Sequence, residues 1–283
     1  MGGDVAPHLA RARCAVWGSP IRHSLSPVLH RAAYAALGLR TWSYERRDVD
    51  EHGFARAFAE LDESWRGLSL TMPLKEVGLA AADLVAGTAA DTGAANTLVR
   101  GSEGWTAHNT DVHGIAVALR EAGCGATTHA LVVGSGATAR SAVAALATSG
   151  TRRITFMVRD RARSATVEQA RRAGFEVDEV PMGHWRLADV VISTVPPAAI
   201  AGLDGFPRPL PGDRTRTLLD VVYGEGSTPL EGAAAAAGWT VQHGTVMLLH
   251  QATEQVRLMT GRPAPLEAMR SALEAALAQR PAR

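Results

Sequence analysis

The stretch over residues 130–140 constrains the fold most strongly, because a run of apolar residues leads there into a glycine pair and an alanine-rich segment. This order predicts a β-strand, a tight turn and a helix. Gly134 suits a sharp turn, Gly136 leaves room for a phosphate group beside the main chain, and Ala139 permits close packing of helix on strand. The N–H groups and dipole of such a helix start favour an anion. The pattern predicts a dinucleotide-binding βαβ unit, and a strand-to-helix turn without a ligand is the alternative.

The alternation of strands and helices continues on both sides of this unit. Upstream, the pattern predicts strands over 14–17, 41–47 and 67–70 and a helix over 27–37 with Ser26 as its N-cap. It also predicts one helical region over 77–90 and a hairpin over 93–107. Downstream, it predicts strands over 153–158, 175–180, 190–194 and 218–222. A chain of 283 residues exceeds the usual size of one domain. We therefore predict an α/β fold of two domains.

Charge and composition argue against several classes of protein. The 29 Lys and Arg residues balance 28 Asp and Glu without blocks of like charge, which argues against a nucleic-acid partner. Long apolar runs are lacking, and residues 1–13 have no apolar stretch of a signal peptide, so we expect a cytoplasmic protein without a membrane anchor. Cys14 and Cys124 show no metal-type spacing, and His243 and His250 form no metal motif, so no metal site is predicted.

Four polar residues in the N-terminal half are candidates for a binding site. Ser24 and Ser26 lie in a loop at a predicted helix start, where they could also be ordinary turn and cap residues. Lys75 follows Pro73 at another helix start. A positive charge is disfavoured beside the positive end of a helix dipole, which suggests a nearby anion, although a solvated lysine is the alternative. Asp111 precedes a helix that it could simply cap.

Three polar residues of the C-terminal half are also candidates. Thr194 ends a strand, at the edge of the sheet where ligands commonly bind. Arg159 ends the second strand of the nucleotide unit, where an arginine suits the 2′-phosphate of NADP, although it could be a surface charge. Asp160 is adjacent and an acidic residue would suit NAD, so NADP is preferred and NAD stays open. Gln251 is polar within an otherwise apolar helical stretch.

Several separate stretches together resemble the shikimate dehydrogenase family, whose members reduce 3-dehydroshikimate with NADPH. These stretches are residues 18–27 (GSPIRHSLSP), 71–76 (TMPLKE), 95–98 (ANTL), 109–111 (NTD), 134–139 (GSGATA), 220–223 (DVVY) with 228–230 (TPL), and 247–251 (MLLHQ). Each stretch is short, but their order and spacing span nearly the whole chain.

The resemblance implies a substrate domain over residues 1–111, completed by C-terminal helices over 247–283, and a Rossmann-type NADP-binding domain over 112–246. A cleft would separate the two domains, with Lys75 and Asp111 as the catalytic pair. The residues that the resemblance assigns to the substrate are Ser24, Ser26, Thr71, Lys75, Asn96, Asp111, Tyr223 and Gln251. Those that it assigns to the cofactor are Gly134, Ser135, Gly136, Ala137, Thr138, Ala139, Arg159, Thr194, Val222, Gly244 and Met247.

These residue types suit the reaction. Hydride transfer to a ring ketone builds negative charge on its oxygen, which a protonated lysine can stabilise and then protonate. Serine, threonine, asparagine and glutamine suit a substrate with several hydroxyl groups. We expect a small-molecule substrate and a monomer or homodimer.

The chain departs from the family pattern at four places. Ser69 stands where an asparagine is usual, Val112 replaces a glycine, Ala137 replaces a third glycine of the nucleotide turn, and Asp160 follows Arg159. Ser69 and Asp160 leave open a quinate/shikimate or aminoshikimate dehydrogenase, which could use NAD. A non-catalytic sensor that binds nucleotide or shikimate is a more remote alternative.

Overall fold

The computed structural model describes residues 11–210, 214–224 and 226–279. The first ten residues, on which most of the signal-peptide prediction rests, lie outside this range. The described chain forms two six-stranded sheets, each with helices around it. This confirms the predicted α/β fold class. Within the described residues, every helix is too short or too polar to cross a lipid bilayer.

The first sheet is mixed and has the strand order β2-β1-β3-β5-β6-β4. Its strands are β1 (Ala12–Gly18), β2 (Trp42–Asp48), β3 (Trp65–Leu70), β4 (Leu84–Val85), β5 (Thr97–Gly101) and β6 (Gly104–His108). β1 pairs in parallel with β2 and β3, and β5 and β6 form the predicted antiparallel hairpin. β1 is almost completely buried, as its apolar sequence requires for a strand covered on both faces.

Six helices accompany the first sheet. They are α1 (Ser26–Ala36), α2 (Glu51–Ala59), α3 (Lys75–Ala80), α4 (Gly87–Thr92), α9 (Gly244–Thr260) and α10 (Leu266–Ala278). α1 packs against α9 and α10, and their buried apolar side chains form one core cluster with β1. The C-terminal helices thus lie on the N-terminal half of the chain.

The second sheet is entirely parallel and has the strand order β12-β11-β10-β7-β8-β9. Its strands are β7 (His129–Val133), β8 (Arg153–Val158), β9 (Glu176–Pro181), β10 (Val190–Ser193), β11 (Thr217–Asp220) and β12 (Thr240–His243). Its helices are α5 (Asp111–Glu121), α6 (Ala137–Leu146), α7 (Ser164–Arg172) and α8 (Pro229–Ala236). The strand order reverses between β7 and β10, and ligands bind at such switch points in open α/β sheets.

Two local predictions were wrong. α1 begins at Ser26 itself, with Leu25 as the capping residue and no side-chain cap, and the Ser26 N–H donates to Ser24 Oγ at 3.3 Å. The region predicted as one helix over 77–90 is divided into α3, β4 and α4. The physical reason is tertiary: β4 pairs with β6, and Asp83 Oδ2 accepts a hydrogen bond from Trp105 N at 2.7 Å. Helical propensity is easily overridden by such contacts.

Helices α5 and α9 connect the two halves and are in direct backbone contact. A Cβ atom on Gly114 would lie 2.7 Å from Met247 O and 2.9 Å from Gln251 Cβ, so only glycine fits at this crossing. The apolar side chains of α5 belong to the core of the second sheet, whereas most of α9 belongs to the core of the first. The boundaries predicted at 111/112 and 246/247 fall in the first turns of these helices and stay a prediction.

Candidate active site

A cavity of about 370 Å³ lies between the two halves of the chain. All eight residues predicted to bind the substrate line it: Ser24, Ser26, Thr71, Lys75, Asn96, Asp111, Tyr223 and Gln251. Five of the predicted cofactor residues also line it: Thr138, Thr194, Val222, Gly244 and Met247. A neighbouring cavity of about 280 Å³ shares Thr71, Lys75, Thr138 and Thr194 with the first and is also lined by Gly136 and Ala137. The structure therefore brings most of the predicted residues of both groups together.

Lys75 lies where the two cavities meet, at the first position of α3. Its Nζ atom donates to Asp111 Oδ2 at 2.5 Å and to Thr138 Oγ1 at 3.1 Å. The side chains of Lys75 and Asp111 are only 13% and 6% exposed, so the ion pair is largely shielded from water. The lysine thus contacts the carboxylate of one half of the chain and a hydroxyl of the nucleotide unit.

Lys75 is also the only lysine of the chain, because every other member of the 29 Lys and Arg residues is arginine. An ammonium group can release a proton, whereas the guanidinium of arginine remains protonated in proteins. The single lysine therefore stands at a position where a transferable proton could be used. This signal is present in the sequence but lies in the composition of the whole chain and not in a local motif.

The carboxylate of Asp111 is held from several sides. Asp111 is the first residue of α5, where the helix dipole favours a negative charge. Its Oδ1 accepts from Asn96 Nδ2 at 2.8 Å, and its backbone N–H donates to Asn109 Oδ1 at 3.2 Å. Asn96 Oδ1 in turn accepts from Thr110 N at 2.8 Å, which leaves the amide N–H groups of Asn96 pointing toward Asp111. Both oxygens of Asp111 therefore have a donor, one of them Lys75.

Gln251, on α9, belongs to the same hydrogen-bonded group as Asn96 and Asp111. Its Oε1 accepts from Asn96 Nδ2 at 3.2 Å, and its Nε2 donates to Leu248 O at 2.9 Å. The carbonyl of the glutamine is thereby turned toward Asn96 and the cavity. Asn96 lies in the loop before β5, Asp111 begins α5 and Gln251 lies on α9, and the three form one hydrogen-bonded group.

The glycine-rich turn has the geometry that its sequence predicts. Gly134 has a φ of +99°, and a Cβ there would lie 2.7 Å from Thr194 Oγ1, so another residue would be both strained and obstructed. A Cβ on Gly136 would meet nothing within 4 Å, which leaves open space in front of α6. No side chain caps α6. The residues present therefore fit a pyrophosphate at this helix start.

The remaining turn residues shape this loop. Ser135 Oγ accepts from Arg163 N at 3.1 Å, and Ser135 O accepts from Thr166 Oγ1 at 2.7 Å. Ala139 is completely buried, as close packing of α6 on the sheet requires. Thr194 Oγ1 donates to Val133 O at 2.7 Å and so ties β10 to β7 at the switch point.

Arg159 follows the end of β8 and is exposed, as is Asp160, and neither lines the two cavities. Arg163 was overlooked: it lines the smaller cavity, and its Nη1 lies 3.7 Å from Glu76 Oε1. The same Glu76 atom accepts from Arg140 Nη2 at 2.6 Å, so residues of both halves meet in an ion-paired cluster beside Lys75.

Several other lining residues of the larger cavity were not predicted, among them His23, Met72 and Gln255. Gln255 could have been found, because it lies one helical turn after Gln251 on the same face of an apolar helix. In the part of the chain that the structure describes, no cluster of three or more His, Cys, Asp or Glu side chains could hold a metal ion.

Comparison with known proteins gives two family matches. Residues 16–98 match the model of the shikimate dehydrogenase substrate binding domain, and residues 244–274 match that of the shikimate 5′-dehydrogenase C-terminal domain. The first match contains the strands around Lys75 and ends after Asn96. The second begins at the start of α9 and contains Gln251.

Whole-chain relatives carry the same name. A shikimate dehydrogenase (NADP(+)) of Aeropyrum pernix is 36% identical over 93% of this chain and 97% of its own length. The crystal structure of Mycobacterium tuberculosis shikimate dehydrogenase is 41% identical, covers 93% of this chain and 99% of its own, and superposes with a TM-score of 0.82. A Thermus thermophilus shikimate 5-dehydrogenase in complex with NADP(H) and shikimate is 31% identical, covers 94% of this chain and 100% of its own, and has a TM-score of 0.78.

Proposed function

Because the chain belongs to the shikimate dehydrogenase family, we propose that it catalyses the reversible, NADP-dependent reduction of 3-dehydroshikimate to shikimate. The observation that carries the proposal is the shielded pair of Lys75 and Asp111 at the junction of the two cavities. The larger cavity takes the hydroxylated ring, and the smaller one takes part of the cofactor. The chain is then an oxidoreductase of the shikimate pathway, which leads to the aromatic amino acids.

NADPH supplies the hydride when it is bound. The glycine turn and the start of α6, with Gly136, Ala137 and Thr138, hold its pyrophosphate, and Arg159 pairs with its 2′-phosphate. The proposed cofactor residues Val222, Gly244 and Met247 line the larger cavity together with Tyr223.

Lys75 provides the proton of the reaction. Its ammonium group donates a hydrogen bond to the ketone oxygen, stabilises the negative charge that develops there and then transfers a proton to it. Asp111 keeps the lysine in position through the 2.5 Å contact. In the reverse direction, the same lysine accepts the proton of the substrate hydroxyl group.

Polar side chains that line the larger cavity orient the substrate. Ser24, Ser26 and Thr71 offer hydroxyl groups, and Asn96 and Gln251 offer amides, so several ring hydroxyls and the carboxylate can be matched at once. Orientation by many short contacts brings the ring carbon into a reactive geometry. We further propose a cytoplasmic location and a monomer or homodimer as the functional unit.

A steady-state assay tests the proposal. The purified chain should reduce 3-dehydroshikimate with NADPH and oxidise shikimate with NADP, with lower kcat/KM for quinate, for aminoshikimate and with NAD. Absence of turnover in a folded protein that still binds NADP would overturn the enzyme assignment and favour a sensor. A higher kcat/KM for quinate or aminoshikimate would move the assignment to that substrate.

Replacement of Arg159 by alanine should raise KM for NADP by about tenfold or more and change KM for NAD little, because a charge-assisted contact to the 2′-phosphate is lost. The measurement is the cofactor dependence of shikimate oxidation with both cofactors. Arg172→Ala, at the exposed end of α7, is a control that removes one arginine from the same half of the chain. An equal increase for NADP and NAD would assign Arg159 to the fold or to the shared pyrophosphate site instead.

A further inference from the structure

Gln255 lies on α9 beneath the larger cavity, is 1% exposed and uses every hydrogen-bonding position of its side-chain amide. Its Oε1 atom accepts from Ser69 Oγ at 2.9 Å and from His30 Nε2 at 3.2 Å. Its Nε2 atom donates to Thr97 Oγ1 at 2.9 Å and to Asn96 O at 3.3 Å. A buried polar network that is satisfied in this way is rigid and specifies one arrangement of its members.

The direction of each hydrogen bond around Oε1 is determined by its neighbours. Tyr44 OH donates to Ser69 Oγ at 2.6 Å, so the single hydroxyl proton of Ser69 is directed to Gln255. Burial lowers the pKa of His30 to about 4, so its ring is neutral near pH 7. Tyr34 OH lies 3.4 Å from His30 Nδ1 and can donate to it, and in that tautomer the Nε2–H is the donor to Gln255. Two donors thus face Oε1, and the amide can adopt only one orientation.

That orientation is transmitted to the catalytic pair. Because Gln255 Nε2 donates to Thr97 Oγ1, the hydroxyl proton of Thr97 is free to donate to Asn96 Oδ1 at 2.8 Å. With its oxygen held by Thr97 and also by Thr110 N at 2.8 Å, Asn96 presents its amide N–H to Asp111 Oδ1. Asp111 in turn holds Lys75. A continuous series of hydrogen bonds therefore runs from the floor of the cavity to the lysine.

We propose that Gln255 is a positioning residue, which holds Asn96 through Thr97 and thereby sets the geometry of Asp111 and Lys75. It acts through these groups and requires no contact with the substrate. The same amide fixes Ser69, which lines the cavity and replaces the asparagine usual at that position in the family. The inference rests on the proposed function, because it gives Gln255 a role in positioning the groups that carry out that reaction.

Two substitutions of Thr97 test the inference. Thr97→Val keeps the shape of the side chain and removes the hydroxyl, so kcat should fall on the order of tenfold and KM for shikimate should rise, since small misplacements of catalytic groups slow reactions strongly. Thr97→Ser keeps the hydroxyl and removes only a methyl group, so it should retain near-normal kcat although it loses buried packing. KM for NADP should stay unchanged in both variants, because the network lies on the substrate side.

Thr155→Val is a matched control, since Thr155 is also buried and hydrogen-bonded, to His129 Nε2 at 2.9 Å, but lies in β8 away from the cavities. Gln255→Met removes the amide at similar length and should reproduce the loss of kcat in Thr97→Val, which provides a test should the valine variant not fold.

Normal kcat and KM in Thr97→Val would overturn the inference, as would equal losses in Thr97→Ser and Thr97→Val, which would indicate packing alone. A wild-type chain without turnover would instead overturn the proposed function, so the two failures are distinguishable.

Discussion

Replacing Lys75 by methionine should lower kcat by a factor on the order of 10² or more, because the reaction loses both the proton donor and the charge that stabilises the developing oxyanion. Methionine preserves the length and apolar part of the side chain. The substitution removes only the contacts of Nζ with Asp111 and Thr138, so the variant should fold. The measurement is kcat for shikimate oxidation at saturating NADP, with circular dichroism as the test of folding.

Lys75→Arg separates the two contributions of the lysine. Arginine retains the positive charge beside Asp111 but cannot release a proton at neutral pH, so this variant should also be strongly impaired. Arg66→Lys, at an exposed position of β3, is a control that exchanges arginine and lysine outside the site. Near-normal turnover in Lys75→Met would remove the lysine from the mechanism, and near-normal turnover in Lys75→Arg would assign the proton to another group.

Asp111→Asn should likewise lower kcat on the order of 10², with little change in the amount of folded protein. The amide keeps the shape of the carboxylate but cannot balance the ammonium charge, and one of its two polar atoms becomes a donor. That donor would face either Lys75 Nζ or Asn96 Nδ2, both of which are donors already. The lysine should therefore lose its position, and kcat should fall more than KM for NADP rises.

Asp91→Asn is the matched control for this substitution, since Asp91 is an exposed acid on the neighbouring helix α4. The assay is the same steady-state measurement at saturating concentrations of both substrates. Turnover close to that of the wild-type protein in Asp111→Asn would show that the carboxylate is dispensable and would contradict the proposed pair.

The sequence predicted those parts of the fold that depend on local signals. The glycine turn at Gly134 and Gly136 requires particular backbone angles and open space, so its residue types identify it directly. The region over 77–90 was misread because its division depends on pairing of β4 with β6 and on Asp83, which no local pattern records.

The candidate site shows the same distinction between local and distant information. Lys75 and Asp111 stand at helix starts, where their charges are unusual or favourable enough to be noticed from sequence. The role of Gln255 depends on contacts with Ser69 and His30, which are 186 and 225 residues away along the chain. Likewise, Arg163 reaches Glu76 only because the two halves of the chain face each other.

The glycine contact between α5 and α9 has a mechanical consequence. Gly114 lies against the backbone of Met247 and Gln251. We therefore expect the two connecting helices, α5 and α9, to resist sliding along each other and to move as one unit. Asp111 and Gln251 both lie close to this contact, so we expect them to keep their mutual distance if the two halves rotate. In such a rotation we expect the contacts farther away to separate first, from Lys75 to Thr138 and from Glu76 to Arg140. An opening of this kind would leave Asn96, Asp111 and Gln251, which we propose to bind the substrate, in mutual contact.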